Sequence, residues 1–74
     1  MTIIQKIRAR MIIARVAALH GISTDQCRAD MIEAITAAWA TTDPAIKDRQ
    51  IRLVGEGRVP TPEELIVLTS NLYP

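Results

Sequence analysis

At 74 residues and a net charge of +1, the chain has room for one domain, which we place at residues 1–74. Its single cysteine excludes a disulfide framework and favours a reducing, cytoplasmic compartment. Charges interrupt its apolar stretches too often for a membrane-spanning segment. The aliphatic composition favours a homodimer or a partner surface, because one small core cannot cover so much apolar area.

The charges are unevenly distributed along the chain. Residues 1–24 carry four cations and no acid, whereas residues 25–48 carry five acids against two cations. The last third is balanced. A basic first segment therefore leads into an acidic second one, and this asymmetry bears on any hypothesis of nucleic-acid binding.

The first predicted helix runs from about Ile3 to His20. One apolar strip follows the helical spacing of three and four residues: Ile4, Ile7, Met11, Ala14 and Ala18. A second strip contains Ile12, Val16 and Leu19. A helix that is apolar on most sides is expected to be central or shared with a partner. Gly21 is placed to end it in the left-handed conformation, with His20 in the last turn.

The second predicted helix begins after Ser23, which with Gln26 forms a capping-box pattern. Its expected inner face has Trp39 at the edge and contains Cys27, Met31, Ala34, Ile35 and Ala38. The opposite side is polar and mostly acidic: Asp25, Gln26, Asp30, Glu33 and Thr36.

Asp43 and Pro44 read as the N-cap and first residue of a third helix, which extends to about Arg52 with Ile46 and Leu53 facing inward. Residues 50–59 allow either the end of this helix followed by a loop or a short hairpin. We favour helix then loop.

The last helix has a well-marked start. Thr61 is placed as the N-cap, Pro62 as the first helical residue, and Glu64 as the capping-box partner of Thr61. A strongly apolar run then continues to about Asn71. The sequence thus predicts an all-α fold, a small bundle of three to four helices with a helix-turn-helix-like hairpin.

Enzymatic chemistry is not expected. Cys27 falls on an apolar helix face, where a free cysteine is usually a small core residue, and His20 alone cannot build a metal site. The pair of glycines at Gly55 and Gly57 does not form a phosphate-binding motif. We therefore predict no catalytic residue, no metal, no cofactor and a role in binding.

The junction of the first two helices carries the most specific pattern. Ala17 precedes Gly21 by four residues and Cys27 follows it by six, which is the spacing of a DNA-binding helix-turn-helix. The small residue permits close helix approach, and the glycine makes the turn. An ordinary helical hairpin with a glycine C-cap has the same sequence pattern.

From about Ala14 to Leu72 the chain resembles the C-terminal DNA-binding domain of the sporulation-initiation response regulator, and short stand-alone proteins that carry its C-terminal half. The residues that carry the resemblance are Ala34, Ile35, Ala38, Trp39 and the Pro60–Ile66 segment. The resemblance implies a helix-turn-helix in which the second helix lies in the major groove of duplex DNA.

Two functional hypotheses follow. In the first, the domain binds DNA and regulates transcription, with candidate contacts at Thr24, Gln26, Arg28, Arg8, Arg10, Arg15 and His20. In the second, it is a protein-interaction module or small inhibitor that uses the apolar first helix or the acidic residues Asp25, Asp30 and Glu33. Those acids would repel phosphate, which argues against DNA binding, and both hypotheses stay open.

Overall fold

A computed structural model describes residues 1–70 of the chain. Its helices are α1 (Ile3–Leu19), α2 (Thr24–Trp39), α3 (Pro44–Val54) and α4 (Pro62–Ser70). No strand occurs within the described range. The predicted all-α class and small bundle are confirmed, and residues 1–70 form four helices.

A capping box that we did not predict starts α1. The Thr2 hydroxyl accepts a hydrogen bond from the Gln5 backbone N–H at 3.1 Å, and the Gln5 side chain accepts one from the Thr2 N–H at 2.9 Å. These bonds satisfy two backbone donors that the first turn of a helix leaves unpaired.

The turn between α1 and α2 forms at Gly21, as the sequence predicts. Gly21 has a φ of 67°, in the left-handed region that glycine adopts without steric cost. The N–H of Ile22 donates to the Ala17 carbonyl at 3.0 Å, and that of Gly21 donates to the Ala18 carbonyl at 3.2 Å. This pair of bonds is a Schellman motif.

Ser23 caps α2, but the reciprocal half of the predicted capping box is absent. The Ser23 hydroxyl accepts from the Gln26 N–H at 3.0 Å. The Gln26 side chain instead donates to Asp30 at 2.8 Å, one helical turn further on.

Helix α3 starts as expected, with the Asp43 carboxylate accepting from the Ala45 N–H at 2.9 Å. It continues to Val54, so the hairpin alternative for residues 50–59 is wrong, and the helix is followed by a loop through Gly55 and Gly57. The predicted inward pair is half right. Leu53 is half-buried but Ile46 is exposed, because the buried end of α3 is at Val54.

The start of α4 is also confirmed. Thr61 and Glu64 form both bonds of a capping box, at 3.1 Å and 3.3 Å. The helix extends to Ser70, and the predicted end near Asn71 lies outside the described residues.

Three helices build the core. Ile13 and Ala17 of α1 pack with Cys27 of α2, and Met31 and Ile66 lie against this cluster. Helix α1 contacts both α2 and α4, while α3 is attached at the side, where the Gln50 side chain donates to the Ala38 carbonyl at 2.9 Å.

The core-facing side of α1 is not either of the two apolar strips that the sequence displays. It consists of Ala9, Ile13 and Ala17, each 1% exposed. Alanine at two of these positions allows α2 and α4 to approach closely around Ile13. The Schellman turn at Gly21 determines which side of α1 faces α2, because its hydrogen bond to the Ala17 carbonyl directs the chain back along that side.

The predicted inner face of α2 is correct for Cys27 and Ile35, which are buried, and for the half-buried Met31. It is wrong for Ala34 and Ala38, which are exposed. The main neighbours of α2 are α1 and α4, with α3 touching only its C-terminal end, and they cover a narrower stripe than the alanines suggest.

Candidate functional site

The hairpin of α1 and α2 joins the three residues whose spacing suggested a helix-turn-helix. Ala17 and Cys27 are 1% and 5% exposed and belong to one core cluster, with the left-handed Gly21 between them. The small residue, the turn and the locking residue therefore take the positions expected for this motif. An ordinary helical hairpin would use them in the same way.

At the start of α2, Thr24 and Gln26 are exposed, whereas Arg28 is engaged within the domain. Arg28 donates from Nε to Glu63 Oε1 at 2.7 Å and from Nη2 to Glu63 Oε2 at 3.2 Å. A bidentate pair of this kind occupies the edge of the guanidinium that would otherwise recognise a base or a phosphate.

Glu63 is a residue of this surface that we did not predict. It lies in the first turn of α4 and is only 4% exposed. The hydrogen bonds from Arg28 lower the pKa of its carboxyl group, against the effect of burial, and the charge of Arg10 adds to the lowering. Nothing in the sequence near Glu63 distinguishes it from the exposed acid that a helix start commonly carries.

The arginines of α1 lie on two different sides of the helix. Arg8 and Arg15 flank a shallow depression together with Met11 and Ile12. Arg10 instead lies beside Thr24, Asp25, Arg28 and Glu63. The basic residues therefore do not form one continuous positive surface, which is what binding along a phosphate backbone requires.

His20 closes the C-terminal end of α1. Its Nδ1 lies 2.9 Å from the Val16 carbonyl oxygen, so this ring nitrogen is the donor of a hydrogen bond to the last turn of the helix. The imidazole therefore caps the helix.

The acids of α2 form a polar surface with few large apolar side chains. Asp25, Asp30 and Glu33 are all exposed, as predicted. Alanines lie between them, and Ile32, at the margin of this surface, is 41% exposed.

An exposed apolar surface of the described chain lies on α1, opposite the core. It is the first predicted strip, which we call the outer face: Ile4, Ile7, Met11, Ala14 and Ala18. Its three large residues are 65%, 52% and 62% exposed, respectively. Met11 and Ile13 are two positions apart, a rotation of roughly 200° about the helix axis, so one points outward when the other points into the core.

Each end of α1 also exposes an apolar side chain beside the outer face. Ile3 is 78% exposed and Leu19 is 79% exposed. Neighbouring exposed apolar side chains that are rimmed by polar residues often mark an interaction site.

No helix among residues 1–70 is long and apolar enough to cross a membrane, and these residues contain no group of three or more potential metal ligands. No protein-family model matches the chain, and no curated protein or solved structure is significantly similar to it. The resemblance to the sporulation regulator domain therefore stays a prediction.

Proposed function

We propose that this chain is a protein-interaction module that binds its partner through the outer face of α1. The observation that carries the proposal is the exposure of Ile4, Ile7 and Met11 on the side of α1 opposite its buried residues. Burying one such side chain contributes about 1.5–3 kcal/mol, so covering several of them is a substantial driving force for association.

The acidic surface of α2 is a weaker docking surface on physical grounds. Exposed ion pairs contribute about 0–1 kcal/mol each, and Ile32 is the one large apolar side chain that α2 exposes to add burial to the charge. Of the two surfaces that the protein-interaction hypothesis offered, α1 is therefore the one we propose.

Affinity purification of the tagged chain from its own cells tests this assignment. We expect the proteins recovered with the wild type to be lost with Met11→Glu and retained with Glu33→Lys, because only the first change places a charge in the buried part of the interface. Loss with Glu33→Lys and retention with Met11→Glu would reverse the assignment.

DNA binding is the second candidate, and one observation favours it. Arg10 lies beside Thr24 at the N-terminal end of α2, where a helix-turn-helix approaches a phosphate and the first bases. The same surface contains Asp25 and Glu63, which reduce its positive potential.

Titration of random duplex DNA at a few tens of millimolar salt separates the two candidates. A DNA-binding domain binds measurably there and weakens steeply as salt rises, because counterions are released on binding. Under the proposed function, the wild type shows no salt-dependent binding, and Arg10→Ala changes nothing.

A further inference from the structure

The outer face of α1 has the residue spacing of a coiled-coil seam. Ile4, Met11 and Ala18 recur every seven residues and correspond to a positions, and Ile7 and Ala14 correspond to d positions. A strip of alternating three- and four-residue spacing is the narrow stripe that one partner helix covers. The core-facing side of the same helix follows a different spacing, through Ala9, Ile13 and Ala17.

Positive charge borders one edge of this seam. Arg8 and Arg15 occupy e positions along one edge, and both flank Met11 and Ile12 in one shallow depression. Arg10 occupies a g position along the other edge, where Asp25 and Glu63 lie beside it and reduce the positive potential. No acidic residue is present anywhere in α1. Residues at e and g positions select the partner of a coiled coil through the charges they meet across the interface.

From this arrangement we infer that the partner segment is an acidic amphipathic helix, with apolar residues at heptad spacing and Glu or Asp at the flanking positions. The inference rests on the proposed function and adds the chemistry of the partner to it.

A second copy of the chain is disfavoured by the same charges. In a parallel pair the e and g positions face each other, and in an antiparallel pair e faces e and g faces g. Both arrangements place the arginines of one α1 against those of the other. The acidic α2 of a second copy has the required charge, but its exposed surface between Asp30 and Glu33 lacks an apolar seam.

An anionic membrane surface would also attract the arginines, but the outer face suits a helix better. Ala14 and Ala18 occupy the C-terminal half of the seam, where an interfacial membrane helix gains affinity from bulky side chains. Small residues instead let a second helix approach closely. We therefore expect the partner to place its large apolar residues opposite Ala14 and Ala18.

Two synthetic 18-residue helical peptides test the inference, both with leucine at the a and d positions. One carries glutamate at e and g, and the other carries lysine there. We expect isothermal titration calorimetry to show at least about tenfold tighter binding of the glutamate peptide to the wild type, since several exposed charge pairs change sign together. The Arg8→Glu, Arg15→Glu variant should lose or invert this preference.

A matched control carries the same change in net charge away from the seam. Lys47→Glu with Arg49→Glu alters two exposed cations of α3 and should keep the preference of the wild type. Because the four substituted side chains are exposed, both variants should retain the helical circular dichroism spectrum of the wild type.

The remaining outcomes overturn the inference in distinguishable ways. If both peptides bind with equal affinity and Met11→Glu abolishes the binding, the partner is not selected by acidic residues, but the proposed function still holds. Failure of both peptides to bind at hundreds of micromolar rejects the seam itself. A dimer in sedimentation equilibrium that Met11→Glu dissociates assigns the outer face to a second copy. Tighter binding to phosphatidylserine vesicles than to the glutamate peptide assigns it to a membrane.

Discussion

Arg28 and Glu63 join the second helix to the fourth across 35 positions of sequence, with Arg28 Nε 2.7 Å from Glu63 Oε1. The two partners differ in environment, because the Glu63 side chain is 5% exposed and that of Arg28 is 40% exposed. The pair therefore resembles a buried carboxylate that is held by a cation at its solvent side. This ion pair is structural, because it holds the N-terminal end of α4 against the α1–α2 hairpin.

Removing the cation from this pair should destabilise the domain. Arg28→Ala leaves the buried carboxylate of Glu63 without its bidentate donor, and we expect the free energy of unfolding to fall by about 1–3 kcal/mol. Urea denaturation followed by circular dichroism measures the change. Arg49→Ala, at an exposed position of α3, should stay within about 0.5 kcal/mol of the wild type. An effect of Arg28→Ala as small as this control contradicts the structural role of the pair.

The same pair predicts a pH dependence of stability. Hydrogen bonds from Arg28 hold the pKa of Glu63 below its ordinary value, so the unfolded chain binds this proton more readily than the native state does. The contribution is fully present above the unfolded pKa of about 4.3 and is lost as pH falls through the lower, native-state pKa. Thermal unfolding between pH 7 and pH 2 should show this loss. The Glu63→Gln variant should lose less stability over that window.

Glu64 provides the comparison for the acid titration. Its hydrogen bond from Arg58 also lowers its pKa, but its side chain is more exposed, at 24%. Glu64→Gln should therefore change the acid dependence less than Glu63→Gln does. The reverse ranking contradicts the assignment of the buried pair as the main pH-sensitive contact.

The orientation of α1 can be tested with a pair of substitutions two positions apart. Ile13→Ala removes a side chain that is 1% exposed and should cost about 2–5 kcal/mol of unfolding free energy. Met11→Ala truncates a side chain that is 62% exposed and should cost less than about 0.5 kcal/mol in the isolated chain. If the two substitutions cost similar unfolding free energy, Met11 must be buried in a contact that the described residues do not provide, which contradicts this orientation of α1.

Gly21 tests the turn of the hairpin. No atom lies within 4 Å of a Cβ built at this position, so the cost of Gly21→Ala comes from the left-handed backbone alone. We expect a loss of about 1 kcal/mol for alanine and a smaller loss for asparagine, which tolerates this conformation. Equal losses for the two substitutions would show that side-chain contacts, and not backbone conformation, select glycine here.

Local sequence signals were sufficient for most helix limits. Ser23, Asp43 and Thr61 are each followed by a helix because their side chains accept backbone hydrogen bonds within three residues. Such bonds depend on near neighbours only, so they can be predicted without tertiary structure. The Thr2 cap is of the same kind and was identifiable from its Gln5 partner.

The facing of α1 and the partner of Arg28 could not be predicted in this way. Apolar residues surround α1 on most sides, so its periodicity does not show which side is buried. The buried side depends on the turn at Gly21 and on the position of α4. Glu63 likewise reaches Arg28 only through tertiary packing. The candidate site therefore follows from the structure, whereas most helix limits follow from the sequence.

The central claim, that the outer face of α1 is the binding surface, is tested most directly by site-specific photo-crosslinking in the cells that make the protein. A photoreactive amino acid is placed in turn at Met11 on the outer face, Gln26 at the start of α2, and Lys47 on α3, all of which are exposed. We predict a discrete protein adduct from Met11 only. Adducts from Gln26 but not from Met11, whether with DNA or with protein, would contradict the claim.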